Sequence, residues 1–484
     1  MKLYSKIKKL WKKGIRDRME KIIEGKIEYE SKKYGFYYIN NILTLIPDEN
    51  LEEVWKSMFK SLKERTVADN LLLEGITSSG YRITFINIKL VRQSGGIYKA
   101  FVPAYIIGNS NMTNPLPKID NFETMIFYGK CIDNFFDPQN VIKLGNEGVN
   151  EINMKLKAIK NKDILIEKDK FNIGVSSTLS RAEKNTNTPV VLKSYLQINF
   201  ENKKSIAEVI EYYRKISELF EFVYLREHIK FNEIKLISSG KVKIANKIKD
   251  ITNTFDFYYY LPEEDKIDLP DINSCVKYGQ IETHFKDLYL TVNNKKAYKN
   301  YYNLNKDDEH KITINKYHNI SSAFESWFDI NFPKFKSDTD ENYKILKDKV
   351  IKFINNCINE EDESDNKEIL YWFKSDIEKM EGSLKEQIKY SLEMFKECIV
   401  NVKKNLIDDY DIEYDSEDEL NENISNTFKN TRNRISHGNM KNEILFSDMD
   451  VVAYVIVERL VQCLVFYKAN VDMDKIKEIV DDRF

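Results

Sequence analysis

The stretch 451–466 most constrains how this chain can fold. Val451, Val452, Val455, Ile456, Leu460, Val461, Leu464 and Val465 put apolar side chains on nearly every face of one helix. Such a helix has to be buried on several sides, so the C-terminal region must supply other helices around it. From residue 320 onward the spacing is helical throughout. Phe324, Trp327 and Phe328 open the region, and helices are predicted over 343–358 and 369–380, separated by an acidic break at 360–365. A longer helix is predicted over 384–406, with Ile388, Leu392, Phe395 and Ile399 on its apolar side.

The helix before 451–466 carries its own start and stop signals. Ser416 followed by Glu419 fits a capping box, and Glu417 and Asp418 suit the positive end of a helix dipole. Leu420, Ile424, Phe428, Thr431 and Ile435 form one stripe, and Gly438 can take the left-handed conformation that ends helices. The predicted helix is roughly twenty residues, about 30 Å long. Its last turns read Thr431-Arg432-Asn433-Arg434-Ile435-Ser436-His437-Gly438. Asn433 and His437 share a face as an i,i+4 pair, whereas Arg432 lies about 140° around the helix from His437. One helix therefore does not close Arg432 and His437 into a tight pair. A second copy packed antiparallel can bring two such sets together, which makes a composite dimeric site attractive.

These residue types suit RNA cleavage without a metal. Histidine can move the proton of a 2′-hydroxyl or of a leaving group near neutral pH. Arginine offers a fixed fork of donors to a phosphorane gaining negative charge, and asparagine can position either through its amide. The plainer alternative is an Arg and a His that only meet the last carbonyls and the dipole of their helix.

Arg432-Asn433-x-x-x-His437, late in an all-helical region and followed by a very apolar helix, resembles the catalytic motif of the HEPN superfamily. More specifically, the whole chain resembles the ApeA-like anti-phage defence proteins, which join an N-terminal β-rich domain to a C-terminal HEPN domain. The resemblance implies a metal-independent endoribonuclease without cofactor, its site formed by Arg432, Asn433 and His437 at the interface of a homodimer, or of a higher oligomer built through the helical domain. It implies a role in abortive infection, in which RNA such as tRNA or mRNA is cut once a phage-derived trigger is sensed. It also implies an acidic residue on an earlier helix near the Arg/His pair, for which Glu381 and Glu393 are the candidates. Some HEPN domains bind RNA without cutting it. The alternative is thus a silent RNA-binding or dimerisation module whose N-terminal domain binds the functional ligand. A ribonuclease gated by a cyclic oligonucleotide would need a Rossmann-like sensor, and the long β run before Ser205 argues against one.

At 484 residues, two or three domains are expected. Net charge is −2, so no global basic field announces nucleic acid, and an RNA site must be a local patch. Cys131, Cys275, Cys357, Cys398 and Cys463 are scattered, without a C-x-x-C pair. That pattern does not signal zinc and fits reduced thiols of a cytoplasmic protein. No apolar run is long enough to span a membrane, and the N-terminus lacks the apolar core of a secretory signal.

Residues 1–26 read as a basic amphipathic helix. Leu3, Ile7, Leu10, Trp11, Ile15, Met19, Ile22 and Ile23 form its apolar face. It fits an anionic membrane surface, a phosphate-rich ligand or a partner, or simply docking on its own domain. A second helix is predicted over 50–64. From 66 the pattern changes to strands. Runs at 71–76 and 81–90 flank the turn Thr77-Ser78-Ser79-Gly80. This segment lacks the Lys-Ser/Thr of a phosphate loop. Further strands are predicted at 99–107, 124–133, 152–158 and 190–200, with Pro103 marking an edge strand. Ser205 caps a helix over 206–222, and strands follow at 229–237 and 254–261. Phe257, Tyr258, Tyr259 and Tyr260 can offer stacking faces to bases or alternate as buried rings of a strand. The polar stretch 293–319, with His310 and His318, reads as linker, and the acidic stretch 408–419 either masks the site or is a solvated loop.

The fold class expected is therefore α+β. It comprises an N-terminal helical extension (1–65), a β-rich sensor domain (66–300), a linker (301–319) and a HEPN-like helical bundle (320–484).

Overall fold

The computed structural model describes residues 22–29, 32–46, 72–94, 97–109, 121–136, 142–144, 154–156, 162–179, 190–244, 247–261, 275–294, 298–303, 308, 311–335, 341–361, 363–379, 383–436 and 446–483. They fall into two compact units. Described residues within 1–133, 138–214 and 230–266 form one, and those within 134–137, 215–229 and 267–484 form the other. The first is dominated by antiparallel sheet and the second by helices, an α+β chain.

In the first unit the strands are β1 (Ile23–Tyr29), β2 (Lys32–Ile39), β3 (Ile42–Ile46), β4 (Leu72–Thr77), β5 (Tyr81–Ile86), β6 (Lys89–Ser94), β7 (Ile97–Phe101) and β8 (Ala104–Asn109). They continue with β9 (Phe122–Tyr128), β10 (Ile142–Leu144), β11 (Met154–Leu156), β12 (Lys162–Ile166), β13 (Asp169–Leu179), β14 (Val190–Lys204), β15 (Glu233–Ile244) and β16 (Lys247–Tyr259). β10 and β11 pair only with each other, and the rest form one sheet in the order β12-β13-β14-β9-β15-β16-β8-β5-β4-β1-β2-β3-β7-β6.

Local chemistry sets these pairings. Asn40 and Asn41 join β2 to β3 with φ of 47° and 63°. This left-handed pair matches the twist of a two-residue hairpin. The Tyr38 hydroxyl donates to Asn41 Oδ1 at 2.9 Å. Gly80, at φ 82°, closes the β4–β5 turn, its N–H donating to Thr77 O at 2.9 Å. β1 and β4 approach so closely that a Cβ at Gly75 would lie 2.7 Å from Lys26 O. Alternate residues Tyr34, Phe36 and Tyr38 of β2 point inward. They pack with Leu43, Leu73, Ile83 and Phe85 in one core, where Phe36 meets Phe85 edge-on at 5.3 Å.

Several expectations change here. Residues 23–26, read as the end of the basic helix, belong to β1, whose pairing with β2 and β4 outweighs local amphipathicity. Residues 1–21 and 50–64 lie outside the described residues. Strands therefore begin well before 66. The run 99–107 is two strands, because Pro103 ends β7 rather than lying on an edge. The second half of 124–133 is helical, in α1 (Lys130–Phe136). The capped helix is present as α2 (Ile206–Tyr224). Ser205 N donates to Glu208 Oε2 at 2.9 Å and Glu208 N to Ser205 Oγ at 3.4 Å, a reciprocal capping box.

In the second unit the helices are α3 (Tyr278–Ile281), α4 (Phe285–Val292), α5 (Ile314–Asn331), α6 (Glu341–Glu360), α7 (Ser364–Lys379), α8 (Leu384–Met394), α9 (Lys396–Asp409), α10 (Glu417–Ser436), α11 (Asp448–Lys468) and α12 (Met473–Asp482). α5 starts inside the stretch read as linker, because the Thr313 hydroxyl caps it by accepting from Lys316 N at 3.2 Å. The helix predicted over 384–406 is two helices. Phe395 leaves helical geometry at φ −103° and ψ 18°, while its ring is buried against Tyr467. α11 is the centre: Val452, Ile456, Val457, Leu460, Val461, Leu464 and Val465 are fully buried. It packs against α4, α5, α8, α9, α10 and α12.

α6 and α7 pack on each other and carry a second apolar stripe facing outward. Ile354 and Ile358 of α6 are buried, yet Leu346, Phe353, Ile369, Trp372 and Phe373 are exposed, Phe353 and Trp372 each by 67%.

Candidate active site

α10 is fastened along its length. At its start Ser416 Oγ accepts from Glu419 N at 3.2 Å, while the Glu419 carboxylate accepts from Asp415 N at 2.8 Å, one residue further back than a capping box requires. The buried ammonium of Lys403 on α9 pairs with Glu417 and donates to Asn421 Oδ1 at 2.8 Å. Lys385 and Lys389 of α8 both pair with Glu422 and hold its carboxyl down at about 2. The stripe Leu420, Ile424, Phe428, Thr431 and Ile435 is buried as its spacing requires, and Phe428 stacks on Tyr317 of α5 at 4.7 Å. The acidic stretch 408–419 is largely exposed to solvent.

The last turns of α10 are pinned to the start of α11 through Asp450, 4% exposed. One carboxylate oxygen accepts from the Thr431 hydroxyl and, at 3.5 Å, from Arg434 Nη2. The other accepts from Ser447 N at 2.9 Å and Ser447 Oγ at 2.8 Å, which is also the capping box of α11. The position of Arg432 and Asn433 is thereby set by a buried polar network rather than by a free helix end.

Arg432 projects from this anchored turn towards α5. Its Nη2 donates to Glu325 Oε2 at 3.4 Å and its Nη1 to Asn433 Oδ1 at 3.5 Å. The pair is half-buried, with Arg432 34% and Glu325 37% exposed. Burial pushes the Glu325 carboxyl above the usual range, Arg432 and His318 oppose that shift, and Asp329 adds to it. Burial raises the Asp329 carboxyl too. Arg432, Asn433 and Glu325 thus form one group: a guanidinium fork, an amide and a carboxyl that holds its proton more readily than an exposed one. The fork can donate to phosphate oxygens, and the carboxyl can orient the fork or exchange a proton.

The sequence motif is only partly placed. Arg432 and Asn433 come together, while His437, directly after the last residue of α10, lies outside the described residues, as do Gly438 and Glu381. Glu393 is one of the two candidates for the acidic role. It is largely exposed and pairs with Lys396 at 3.0 Å. The carboxylate beside Arg432 is Glu325, which sequence reasoning missed. Its signal was an acid embedded in the aromatic run Phe324-Glu325-Ser326-Trp327-Phe328, whose rings are all core. His318 is on α5 rather than in a linker. Among the described residues no three His, Cys, Asp or Glu side chains converge as a metal ion would need, and no helix is long and apolar enough to cross a membrane. No protein-family model, no curated protein and no solved structure matches this chain.

Proposed function

We propose that this protein is a metal-independent endoribonuclease of the HEPN type. The observation that carries the reading is Arg432 and Asn433 held half-exposed on an anchored helix end, with the Glu325 carboxyl against the guanidinium. His437 takes the 2′-hydroxyl proton or supplies the leaving-group proton. Arg432 stabilises the charged phosphorane, Asn433 orients substrate or histidine, and Glu325 fixes the fork. The products carry a 2′,3′-cyclic phosphate, or a 3′-phosphate after its hydrolysis.

Two copies complete the site, since a five-residue spacing at about 100° per residue would set Arg432 and His437 about 140° apart if the helical path continued. The outward apolar stripe of α6 and α7 supports self-association. In the ApeA-like reading the β-rich unit senses infection and the helical unit cuts tRNA or mRNA, stopping growth of the infected cell.

The test is cleavage of labelled tRNA and mRNA in EDTA, wild type beside an equally folded His437→Ala variant, with and without phage-infected lysate. Cleavage lost only in the variant supports the reading. A competing reading, a silent RNA-holding or dimerisation module, draws on Arg432 already being engaged by Glu325 as a structural ion pair would be. It requires that neither protein cuts under any of these conditions.

A further inference from the structure

A cavity of about 620 Å³ lies wholly within the β-rich unit. It opens between the Asn40–Asn41 turn, the segment following α2 and the end of β16. Its size falls within the range of small-molecule sites. Residues 255–261 divide their rings between two environments: Phe255 and Phe257 are buried, whereas Tyr258 is 39% exposed and lines the cavity. Tyr258 stacks on Tyr105 with centroids 4.6 Å apart and planes 13° from parallel. A second wall is formed by Tyr213 and Tyr259, 4.5 Å apart. A flat aromatic ligand therefore meets ring faces already ordered by their own stacking, which lowers the entropy lost on binding.

The polar lining has two signs. Lys193 on β14 and Lys230 before β15 bring positive charge, while Asp256 on β16 and Glu233 on β15 bring carboxylates, that of Glu233 already paired with Lys235 at 2.9 Å. Asn40 and Asn232 add amides that can both donate and accept. The ligand that uses all of these has a flat ring, hydroxyls and an anionic group.

We propose that this cavity binds a nucleoside phosphate, either a free nucleotide or one residue of a single-stranded RNA. The base stacks on Tyr258, Asp256 accepts from the sugar hydroxyls, and Lys193 and Lys230 draw the phosphate. The site belongs to a different compact unit from Arg432 and does not depend on the ribonuclease reading.

Calorimetric titration of the full chain tests this. The probes are the four nucleoside 5′-monophosphates, adenosine, and a short oligoribonucleotide with free 2′-hydroxyls whose integrity is checked on a gel after the titration. Saturable binding of at least one phosphate-bearing probe is expected. A mononucleotide that binds as well as the oligomer identifies free nucleotide as the source, and binding of the oligomer alone identifies the strand. Tyr258→Ala should weaken binding by about fivefold or more, and Tyr258→Phe should retain it. Lys193→Ala combined with Lys230→Ala should weaken phosphate-bearing probes by about tenfold or more, with any adenosine binding unchanged. The proposal is overturned if no phosphate-bearing probe binds saturably at millimolar concentration. It is overturned equally if variants that melt like wild type bind every probe as wild type does.

Discussion

Replacing Asp450 by alanine tests whether the motif turn is held by the network described for it. The carboxylate, 4% exposed, accepts from the Thr431 hydroxyl, from Ser447 N and Oγ, and from Arg434. Without it the Thr431 hydroxyl, itself buried, loses its acceptor, which costs about 1–3 kcal/mol. Loss of the capping box of α11 adds about 1 kcal/mol. The sum is about 2–4 kcal/mol, or roughly 5–15 °C in the melting of the helical unit. Arg434→Ala is the internal control. That side chain is 55% exposed, 3.5 Å from Asp450 and donates to the Thr431 hydroxyl at 2.8 Å, so its loss should cost under about 1 kcal/mol. Scanning calorimetry is the assay, because two compact units can melt separately. A melting point for Asp450→Ala within about 1 °C of wild type, or an equal loss from Arg434→Ala, would refute the anchoring role.

Glu325→Gln should change stability by less than about 1 kcal/mol, because the ion pair is about one-third exposed, while RNA cleavage falls by about tenfold or more as the Arg432 fork loses its orientation; full activity in the variant would remove Glu325 from the site. Glu221 should make stability depend on pH. Burial raises its carboxyl from 4.5 to about 7, so the folded state keeps a proton that the unfolded chain has lost. Its stabilising contribution is complete below about 4.5 and is lost as pH rises through about 7, on the order of 3 kcal/mol. Urea unfolding across this range should show the decline in wild type and a flatter profile in Glu221→Gln; identical profiles would contradict the shift. Phe353→Glu combined with Trp372→Glu should lower the mass measured by light scattering from oligomer towards monomer, since each ring forfeits about 1.5–3 kcal/mol of burial. An unchanged mass would exclude the α6–α7 stripe as the contact.

The sequence disclosed helices better than strands, and for physical reasons. α10 announces itself through the capping Ser416 and an apolar stripe, α11 through apolar residues on nearly every face, and Ser205 marks the start of α2. β1 was hidden because Ile22 and Ile23 continue a helical pattern, and only pairing with β2 and β4 decides the matter. The β2–β3 hairpin turns on Asn40-Asn41 without a glycine, a weaker sign than the Gly80 turn that was legible. The break at Phe395 depends on where its ring is buried, which no local propensity encodes. At the site, Arg432 and Asn433 were found from spacing and residue chemistry. Glu325 is more than a hundred residues away, and only the packing of α5 beside α10 brings it there.

The most direct measurement is the end chemistry of RNA incubated with this protein in EDTA, wild type beside Arg432→Ala, with phage-infected lysate supplied as trigger. Attack by the 2′-hydroxyl leaves a 2′,3′-cyclic phosphate and a 5′-hydroxyl, expected from the wild type and absent with a variant that melts normally. Fragments ending in a 3′-hydroxyl and a 5′-phosphate, equal cutting by both proteins, or intact RNA in every reaction would contradict a metal-independent ribonuclease built on Arg432.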